Sequence, residues 1–249
     1  MRRKVPFRAL LRSEWSKLRS VRATWWCTGL YLLVVAGTGW LAAAGAGIAP
    51  RADAALATAF TGFGVGQLVL VVLGVLAVTS EFSTGTALVS MTAVPRRTRM
   101  LVAKTLVVAV WCALLTLVLT VVCALAAELR IAVPGGMALL GPDVLRSSGL
   151  QIGAAALVGV LAVGLGAVLR STAGAVGVGL ALVAVLPPAL ALSGGQWQIR
   201  LSQALPALRV GEDAFLAATT TWQTGTAVIA AWAVGAWVLG AVLLERRDV

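Results

Sequence analysis

Long stretches without a charged side chain constrain the fold of this sequence more than any other feature. Its 20 Lys and Arg and its 9 Asp and Glu residues are confined to short separators. Between these separators lie six charge-free windows, the shortest of them 23 residues long. An α-helix needs about 20 apolar residues to cross the hydrocarbon core of a membrane. The windows cover residues 23–50, 54–80, 105–127, 147–169, 171–199 and 214–244.

The windows predict an all-α membrane protein with six transmembrane helices, because a backbone in lipid has to satisfy its own hydrogen bonds. Composition agrees, since 60% of residues are hydrophobic and 12% are charged, about half the usual charged share. A soluble domain is thereby excluded. We expect a single transmembrane domain over residues 1–249, with spans at about 24–44, 57–79, 105–127, 149–169, 173–192 and 225–244.

The distribution of basic residues predicts the orientation in the membrane. Fifteen of the 20 Lys and Arg residues lie in the first, third, fifth and seventh separators. The positive-inside rule then places both termini in the cytoplasm. The net charge of +11 lies on that face, where it would meet anionic lipid and no nucleic acid. Because arginine, alanine, glycine and valine are abundant, we expect a bacterial cell (inner) membrane protein.

Several kinds of chemistry find no support in the sequence. It contains no histidine and no G-x-x-x-x-G-K-[ST] phosphate loop, so neither a Ser–His protease nor an ATPase is expected. The predicted spans hold no ionisable Asp, Glu, Lys or Arg, which argues against an ion-coupled transporter. Cys27, Cys112 and Cys123 lie in apolar runs and are interpreted as small hydrophobic residues. No catalytic and no metal-binding residue is predicted.

Residues 6–22 predict an amphipathic helix that lies along the membrane surface. Glu14 is the exception, near the middle of the apolar face. It either pairs with Lys17 three residues later or meets a cation where this face packs on the rest of the protein. The sequence leaves both readings open. The apolar face is formed by Phe7, Leu10, Leu11, Trp15, Leu18 and Val21.

Polar and helix-breaking residues mark three further places. Gln67 shares a face of the second span with Phe60 and Phe63, and either lines a pathway or, more commonly for such a residue, bonds to another helix. The pair Pro187-Pro188 is expected to break the fifth span. A tight inner turn is expected at Arg170.

The third separator has the motif Glu81-Phe82-x-x-Gly85-Thr86, followed by Pro95-Arg96-Arg97 and Lys104. This stretch resembles the first cytoplasmic loop of type-2 ABC-exporter permeases, the membrane subunits of ATP-binding-cassette transporters. The opening RSEWSKLRSVRATWW, the closing LLERRDV and the order of helices are also similar to that family. The basic cluster after Pro95 also suits topology control.

The resemblance implies that two permeases pair, as a homodimer or heterodimer, and that each docks a cytoplasmic ABC ATPase. ATP and magnesium would be held by that ATPase and not by this chain. The segment 81–95 would be a short coupling helix beside the N-terminal helix, which carries Glu14, Trp15 and Lys17. The coupling residues would be Glu81, Phe82, Gly85, Thr86, Pro95, Arg96 and Arg97.

The family also implies a route for cargo. Phe60, Phe63 and Gln67 would lie near the translocation path, and residues 187–213 would form an outer re-entrant segment, with Pro187, Pro188 and Trp197 at its gate. With one Tyr and five Phe, the sequence does not favour an aromatic-rich polysaccharide channel. A small amphiphilic cargo is expected: a drug, a peptide or a lipid. The alternative is a membrane scaffold or immunity protein that transports nothing.

Overall fold

The computed structural model of the chain describes residues 6–49, 52–83, 97–134, 141–193, 195–206 and 222–246. Throughout these ranges the fold is helical, and its one β feature is an isolated bridge between Ile48 and Ala132. Within the same ranges, six helical stretches are long and apolar enough to cross a membrane. The predicted class, an all-α protein with six membrane spans, is confirmed.

The helices follow the charge-free windows in order. An amphipathic helix precedes the first span, and shorter helices lie before the second span and after the fifth. The bounds are α1 Phe7–Ser20, α2 Arg22–Ala46, α3 Ala52–Ala59, α4 Gly62–Ser83, α5 Arg97–Arg130, α6 Pro142–Leu169, α7 Thr172–Leu180, a π-helical turn Ala181–Val185, α8 Leu186–Leu192, α9 Gln196–Gln203 and α10 Trp222–Arg246.

Helix α6 forms the centre of the bundle, where it packs against α4, α5 and α10. Small residues make these contacts possible, because they let helix backbones approach closely. A Cβ added at Gly164 would lie 2.7 Å from the backbone of Ala236 in α10. A Cβ added at Gly74 of α4 would lie 2.6 Å from the Cβ of Ala162 in α6. At these two glycines the neighbouring helices are therefore in direct contact.

Burial separates the inner helices from the outer ones. The most apolar window is 67% buried in α4 and 61% in α6, but only 22% in the run from α7 to α8 and 28% in α10. Large apolar side chains such as Leu33, which is 71% exposed, cover the outer helices. In lipid such a surface is expected, because the acyl chains are as apolar as leucine.

Several helix ends differ from the predicted spans. The second predicted span, 57–79, is divided by a turn at Phe60 and Thr61, after which α4 continues to Ser83. The third span extends well beyond 105–127 at both ends, because α5 includes Lys104 and Arg130. A charged residue ends the stretch that lies in hydrocarbon, but it does not end the helix.

The expected break at Pro187-Pro188 does not occur, since the helical run continues to Leu192. Instead the preceding turn widens into the π-helical turn, where the Leu186 N–H donates to the carbonyl oxygen of Ala181. Proline has no N–H to donate and its ring crowds the turn before it. The wider turn accommodates this ring, as π-turns inside helices commonly do.

The tight turn at Arg170 is present. Helix α6 ends at Leu169, and Arg170 has a φ of 52°, in the left-handed region. Ser171 then caps α7, since its Oγ accepts from the Gly174 N–H at 3.4 Å. The hydroxyl of Thr172 donates to Thr79 Oγ1 at 2.9 Å. The turn is thus attached to the end of α4 that carries Glu81.

Candidate functional site

Four charged side chains from three helices meet at one end of the bundle. Glu14 and Lys17 come from α1, Glu81 from the last turn of α4, and Lys104 from the second turn of α5. The Lys104 Nζ lies 2.6 Å from Glu14 Oε2 and 2.9 Å from Glu81 Oε1. We call these four residues the ion cluster.

Lys17 completes the ion cluster from the opposite side. Its Nζ lies 2.7 Å from Glu14 Oε1 and 3.0 Å from Glu81 Oε1. Each lysine therefore donates to both carboxylates, and the Oε1 of Glu81 accepts from both lysines. Two acids and two bases alternate around a closed ring with no net charge. Such charge-assisted bonds are shorter and stronger than neutral ones.

Burial within the ion cluster is uneven. The side chains of Glu14, Lys104 and Glu81 are 4%, 9% and 15% exposed, whereas Lys17 is 40% exposed. A buried charge is tolerated only where it is paired and hydrogen-bonded. The sequence explains why the residues meet: Glu81 directly follows one charge-free window and Lys104 directly precedes the next. Adjacent windows place these two edges at the same depth.

Both α1 members of the ion cluster are charged at neutral pH. Burial alone would raise the pKa of Glu14, but Lys104 and Lys17 outweigh it and the pKa is lowered. Burial alone would lower the pKa of Lys17, but its hydrogen bonds to Glu14 and Glu81 outweigh it and the pKa is raised. Each charge is therefore stabilised by the partners that surround it.

The two readings of Glu14 are both realised, because the carboxylate contacts Lys17 on its own helix and Lys104 on α5. Glu81 contacts the N-terminal helix through Lys17. The sequence analysis quoted Lys104 within a motif but gave it no partner, so its place in the ion cluster was missed. The signal that could have found it is its position at a window edge, level with Glu81.

A tryptophan cluster also attaches α1 to the bundle. The Trp15 ring lies edge-on to Trp111 of α5, with centroids 5.4 Å apart, and Trp25 of α2 packs on the same ring at 5.9 Å. The Trp111 Nε1–H donates to Thr28 Oγ1 at 3.2 Å. Aromatic pairs in this geometry stabilise beyond their buried area. Trp111 was not foreseen as a partner of Trp15.

The predicted coupling residues are only partly placed. Phe82 is half-buried, and the guanidinium of Arg170 lies 5.5 Å from its ring centroid. Arg97 begins α5. Gly85, Thr86, Pro95 and Arg96, and with them most of the predicted coupling helix 81–95, lie outside the described residues. The structure therefore describes only residues 81–83 of that segment, and the role of the segment in coupling remains a prediction.

The predicted path and gate residues occupy different surroundings. Phe60 and Phe63 are buried and pack edge-to-face, with centroids 5.3 Å apart. Gln67 is 6% exposed, and its Oε1 accepts no hydrogen bond from any described residue. Of the gate residues, Pro187 is buried, Pro188 is half-buried and Trp197 is 66% exposed. None of these placements tests the predicted roles, which remain predictions.

A cavity of about 310 Å³ adjoins the ion cluster. It lies between α1, α2, α4 and α5. The four charged residues line it together with Ser20, Thr24 and Ser80, and the other lining side chains are apolar. This arrangement joins a polar and an apolar lining within one small space. Its chemistry suits an amphiphilic molecule better than a purely apolar or a purely polar one.

Residues 10–188 match the family described as ABC-2 family transporter protein. A search of curated proteins found no match. The match covers well over half of the chain, from within α1 to the Pro187-Pro188 pair. The chain belongs to the ABC-2 transporter family: it is a multi-pass membrane permease without an ATPase site of its own.

Proposed function

We propose that this ABC-2 family permease exports a small amphiphilic cargo, a drug, a peptide or a lipid, with ATP hydrolysed by separate ATPase subunits that hold ATP and magnesium. Permeases of this family work with such subunits. One observation carries the proposal. Glu81, the first residue of the predicted coupling segment, is bound by Lys17 and Lys104 to the two helices beside it.

The ion cluster offers a route for force. A partner that displaces residues 81–95 would pull on Glu81, and Lys104 would pass the displacement to α5. Helix α5 runs 34 residues to the other end of the bundle. There the Ala49 N–H donates to the carbonyl oxygen of Ala132 at 3.0 Å, which links the chain after α5 to the chain after α2. Short ionic bonds at a largely buried site resist separation.

We also propose that both termini are cytoplasmic and that the ion cluster faces the cytoplasm. Two contacts support the placement of α1 and the C-terminal part of α10 at the same end of the bundle. Glu14 of α1 pairs with Lys104, and the Trp237 Nε1–H of α10 donates to Thr105 Oγ1 at 2.9 Å. The C-terminal part of α10 therefore lies at the end where α1 lies. The basic asymmetry of the sequence assigns that end to the inside.

The path and gate assignments form part of the same proposal. Phe60, Phe63 and Gln67 would contact cargo between two paired permeases, homomeric or heteromeric. The buried Gln67 oxygen supports this, because it can accept a hydrogen bond from a passing group. For the gate, the Trp232 Nε1–H donates to the Ala204 carbonyl oxygen at 2.7 Å and holds the chain after α9 against α10.

The test is transport in proteoliposomes that hold the full chain and its ATPase. An NBD-labelled phospholipid and rhodamine 6G serve as probes, and ATP hydrolysis is measured in parallel. Glu81→Gln should still insert and bind the ATPase, yet move fewer probe molecules per ATP, because Lys17 and Lys104 lose their shared anion. Glu245→Gln is the matched control, since it removes an exposed acid at the end of α10.

Equal transport per ATP for Glu81→Gln, Glu245→Gln and wild type would contradict the proposed coupling route. Failure of the wild-type chain to retain any ABC ATPase on purification, or to move either probe with ATP, would favour the non-transporting scaffold or immunity protein instead.

A further inference from the structure

We propose that the cavity beside the ion cluster is a binding site for a single-chain amphiphile with an anionic head group, such as a phosphate or a carboxylate. The inference goes beyond the proposed function, because binding here requires neither the ATPase nor transport. It stands on three observations: the volume of the cavity, its largely apolar lining and the partly exposed ammonium group of Lys17 at its edge.

The volume is adequate for a small ligand. At about 310 Å³ the cavity lies at the lower end of the range of roughly 300–1,000 Å³ found for ligand pockets. One alkyl chain with a compact head suits this space better than a two-chain lipid. Four helices enclose it, α1, α2, α4 and α5, so a bound chain would contact protein on several sides.

The greater part of the lining is apolar. Leu18 comes from α1, Val21 precedes α2, Leu73 and Leu76 come from α4, and Val107 and Val108 come from α5. Leu18, Leu73, Val107 and Val108 are among the buried residues. On the α2 side the cavity is lined by Ala23, Thr24 and Cys27, none of which carries a charge at neutral pH. Such a wall favours an alkyl chain.

The charged edge of the cavity selects the head group. Lys17 is the most exposed member of the ion cluster, at 40%, against 15% for Glu81. Two of the three ammonium donors of Lys17 bond to Glu14 and Glu81, which leaves one for a ligand. Arg19 on the same helix adds positive potential. An anionic head can therefore accept a hydrogen bond from Lys17, which a cationic head cannot do.

The position of the cavity suits a ligand from the membrane. The amphipathic helix α1 forms one wall, and such helices lie at the depth where head groups meet acyl chains. An amphiphile that enters from the leaflet would keep its head near Lys17 and its chain between α4 and α5. The same chemistry is available to a free amphiphile, so the experiment compares a chain-bearing phosphate with inorganic phosphate.

Cys27 provides a probe inside the cavity. It is half-buried and lines the cavity, whereas Cys112 and Cys123 are buried, at 0% and 1% exposure. The rate at which N-ethylmaleimide modifies Cys27 is measured in proteoliposomes of the full chain, with and without dodecyl phosphate. A ligand that covers the thiol slows modification by the factor 1 + [L]/Kd, roughly tenfold at nine times Kd.

A matched control separates the cavity from the lipid phase. Leu33→Cys in a Cys27→Ser background places a thiol on the same helix, at a position that is 71% exposed and does not line the cavity. Dodecyl phosphate should leave its modification rate unchanged. Equal protection at both positions would mean a general effect of the amphiphile on the membrane and would overturn the proposal, as would absence of protection at Cys27.

The head group is tested with chains of equal length. Dodecyl phosphate should protect Cys27 at lower concentration than zwitterionic dodecylphosphocholine, and inorganic phosphate alone should not protect it. Equal protection by the two amphiphiles in the wild-type chain would overturn the anionic preference. Protection by inorganic phosphate would overturn the need for a chain. These comparisons use the unaltered protein, so they do not depend on the folding of a variant.

The contact with Lys17 is tested with two substitutions that each remove one positive charge from α1. Lys17→Gln should abolish the difference between the two amphiphiles while both still protect Cys27. Arg12→Gln, on an exposed side chain that does not line the cavity, should preserve the difference. Loss of the preference in both variants would point to general surface charge and contradict a head-group site at Lys17.

Discussion

Helix α4 is held in two physically different ways along its length. In its middle, Gly74 lets the helix touch α6 at Ala162. At its end, Glu81 is held by Lys17 and Lys104. The first contact is close packing with no polar group, and the second is a set of ionic hydrogen bonds across three helices. We call the middle of the bundle, with the Gly74 contact and that of Gly164 in α6 on Ala236 in α10, the packed waist. We call the end that holds the ion cluster the charged end.

The two kinds of contact determine which part of the bundle can move. At the packed waist a side chain would collide with backbone, so the helices cannot slide without a large loss of contact. At the charged end the bonds are strong but few, and Lys17 is partly exposed. Water can replace a bond there once the helices separate. The charged end is therefore where an external force can be taken up, while the packed waist keeps the spans together.

The largest expected effect is at the charged end. Lys104→Met removes the cation that Glu14 and Glu81 share and leaves two carboxylates with Lys17 alone. Breaking a buried ion pair from one side costs about 3–5 kcal/mol, so the thermal unfolding midpoint in detergent should fall clearly. Arg99→Met, on an exposed residue of the same helix, should leave the midpoint nearly unchanged.

A double variant tests whether the loss of stability in Lys104→Met arises from its ion pair with Glu14. Glu14→Gln combined with Lys104→Met should cost less than the two single changes added together, because the partners contact one another. Strict additivity would mean that Lys104 stabilises the fold in some other way, and the contrast between the charged end and the packed waist would then need another basis.

At the packed waist a single methyl group should matter. A Cβ at Gly164 would lie 2.7 Å from the backbone of both Ala236 and Trp237, and backbone cannot rotate away. Gly164→Ala should therefore destabilise the bundle by about 1–3 kcal/mol, as overpacking does. Gly153→Ala lies on the same helix with nothing within 4 Å, and it should be neutral or stabilise by about 0.5–1 kcal/mol.

The two alanine variants are compared by unfolding midpoint under identical conditions. A matched loss in both would show that contact with α10 does not decide the result, because Gly153 has no neighbour within 4 Å. A fall for Gly164→Ala alone would confirm that α6 and α10 touch at this residue.

The sequence predicted the spans because charge is excluded from hydrocarbon whatever the packing. It also singled out Glu14, because a carboxylate on the apolar face of α1 requires a cation nearby. Trp15 and Lys17 followed from the same helical periodicity. These inferences follow from the local sequence pattern or from the exclusion of charge from lipid. Neither source requires knowledge of which helices are neighbours.

What the sequence left open depends on how the helices cross. The sequence does not distinguish Gly164 from Gly153, but in the structure Gly164 contacts α10 and Gly153 has no neighbour within 4 Å. Lys104 could not be joined to Glu14 before α1 was known to lie against α5. The π-helical turn depends on how one helix accommodates Pro187, and the proline pair alone equally suggested a break. Tertiary neighbours decide these features, and a single sequence contains no direct record of them.

The smallest expected effect is that of pH near neutrality, and it concerns the charged end alone. The pKa of Glu14 is lowered from its ordinary value of 4.5, so its stabilisation is present above that value and is lost as pH falls through the lower, folded-state pKa. The pKa of Lys17 is raised from 10.5, so its stabilisation is present below that value and is lost as pH rises through the higher pKa.

The unfolding midpoint should therefore be flat across neutral pH and fall when the acid range below 4.5 is reached. Glu14→Gln should show a lower midpoint at neutral pH but a shallower fall in acid, because it has one fewer carboxylate to protonate. Gly164→Ala should keep the wild-type slope, since Ala236 and Trp237, which it would contact, do not titrate. An identical acid slope in wild type and Glu14→Gln would show that Glu14 adds nothing to folding through its charge, and the ion cluster would then not be what holds α1 in place.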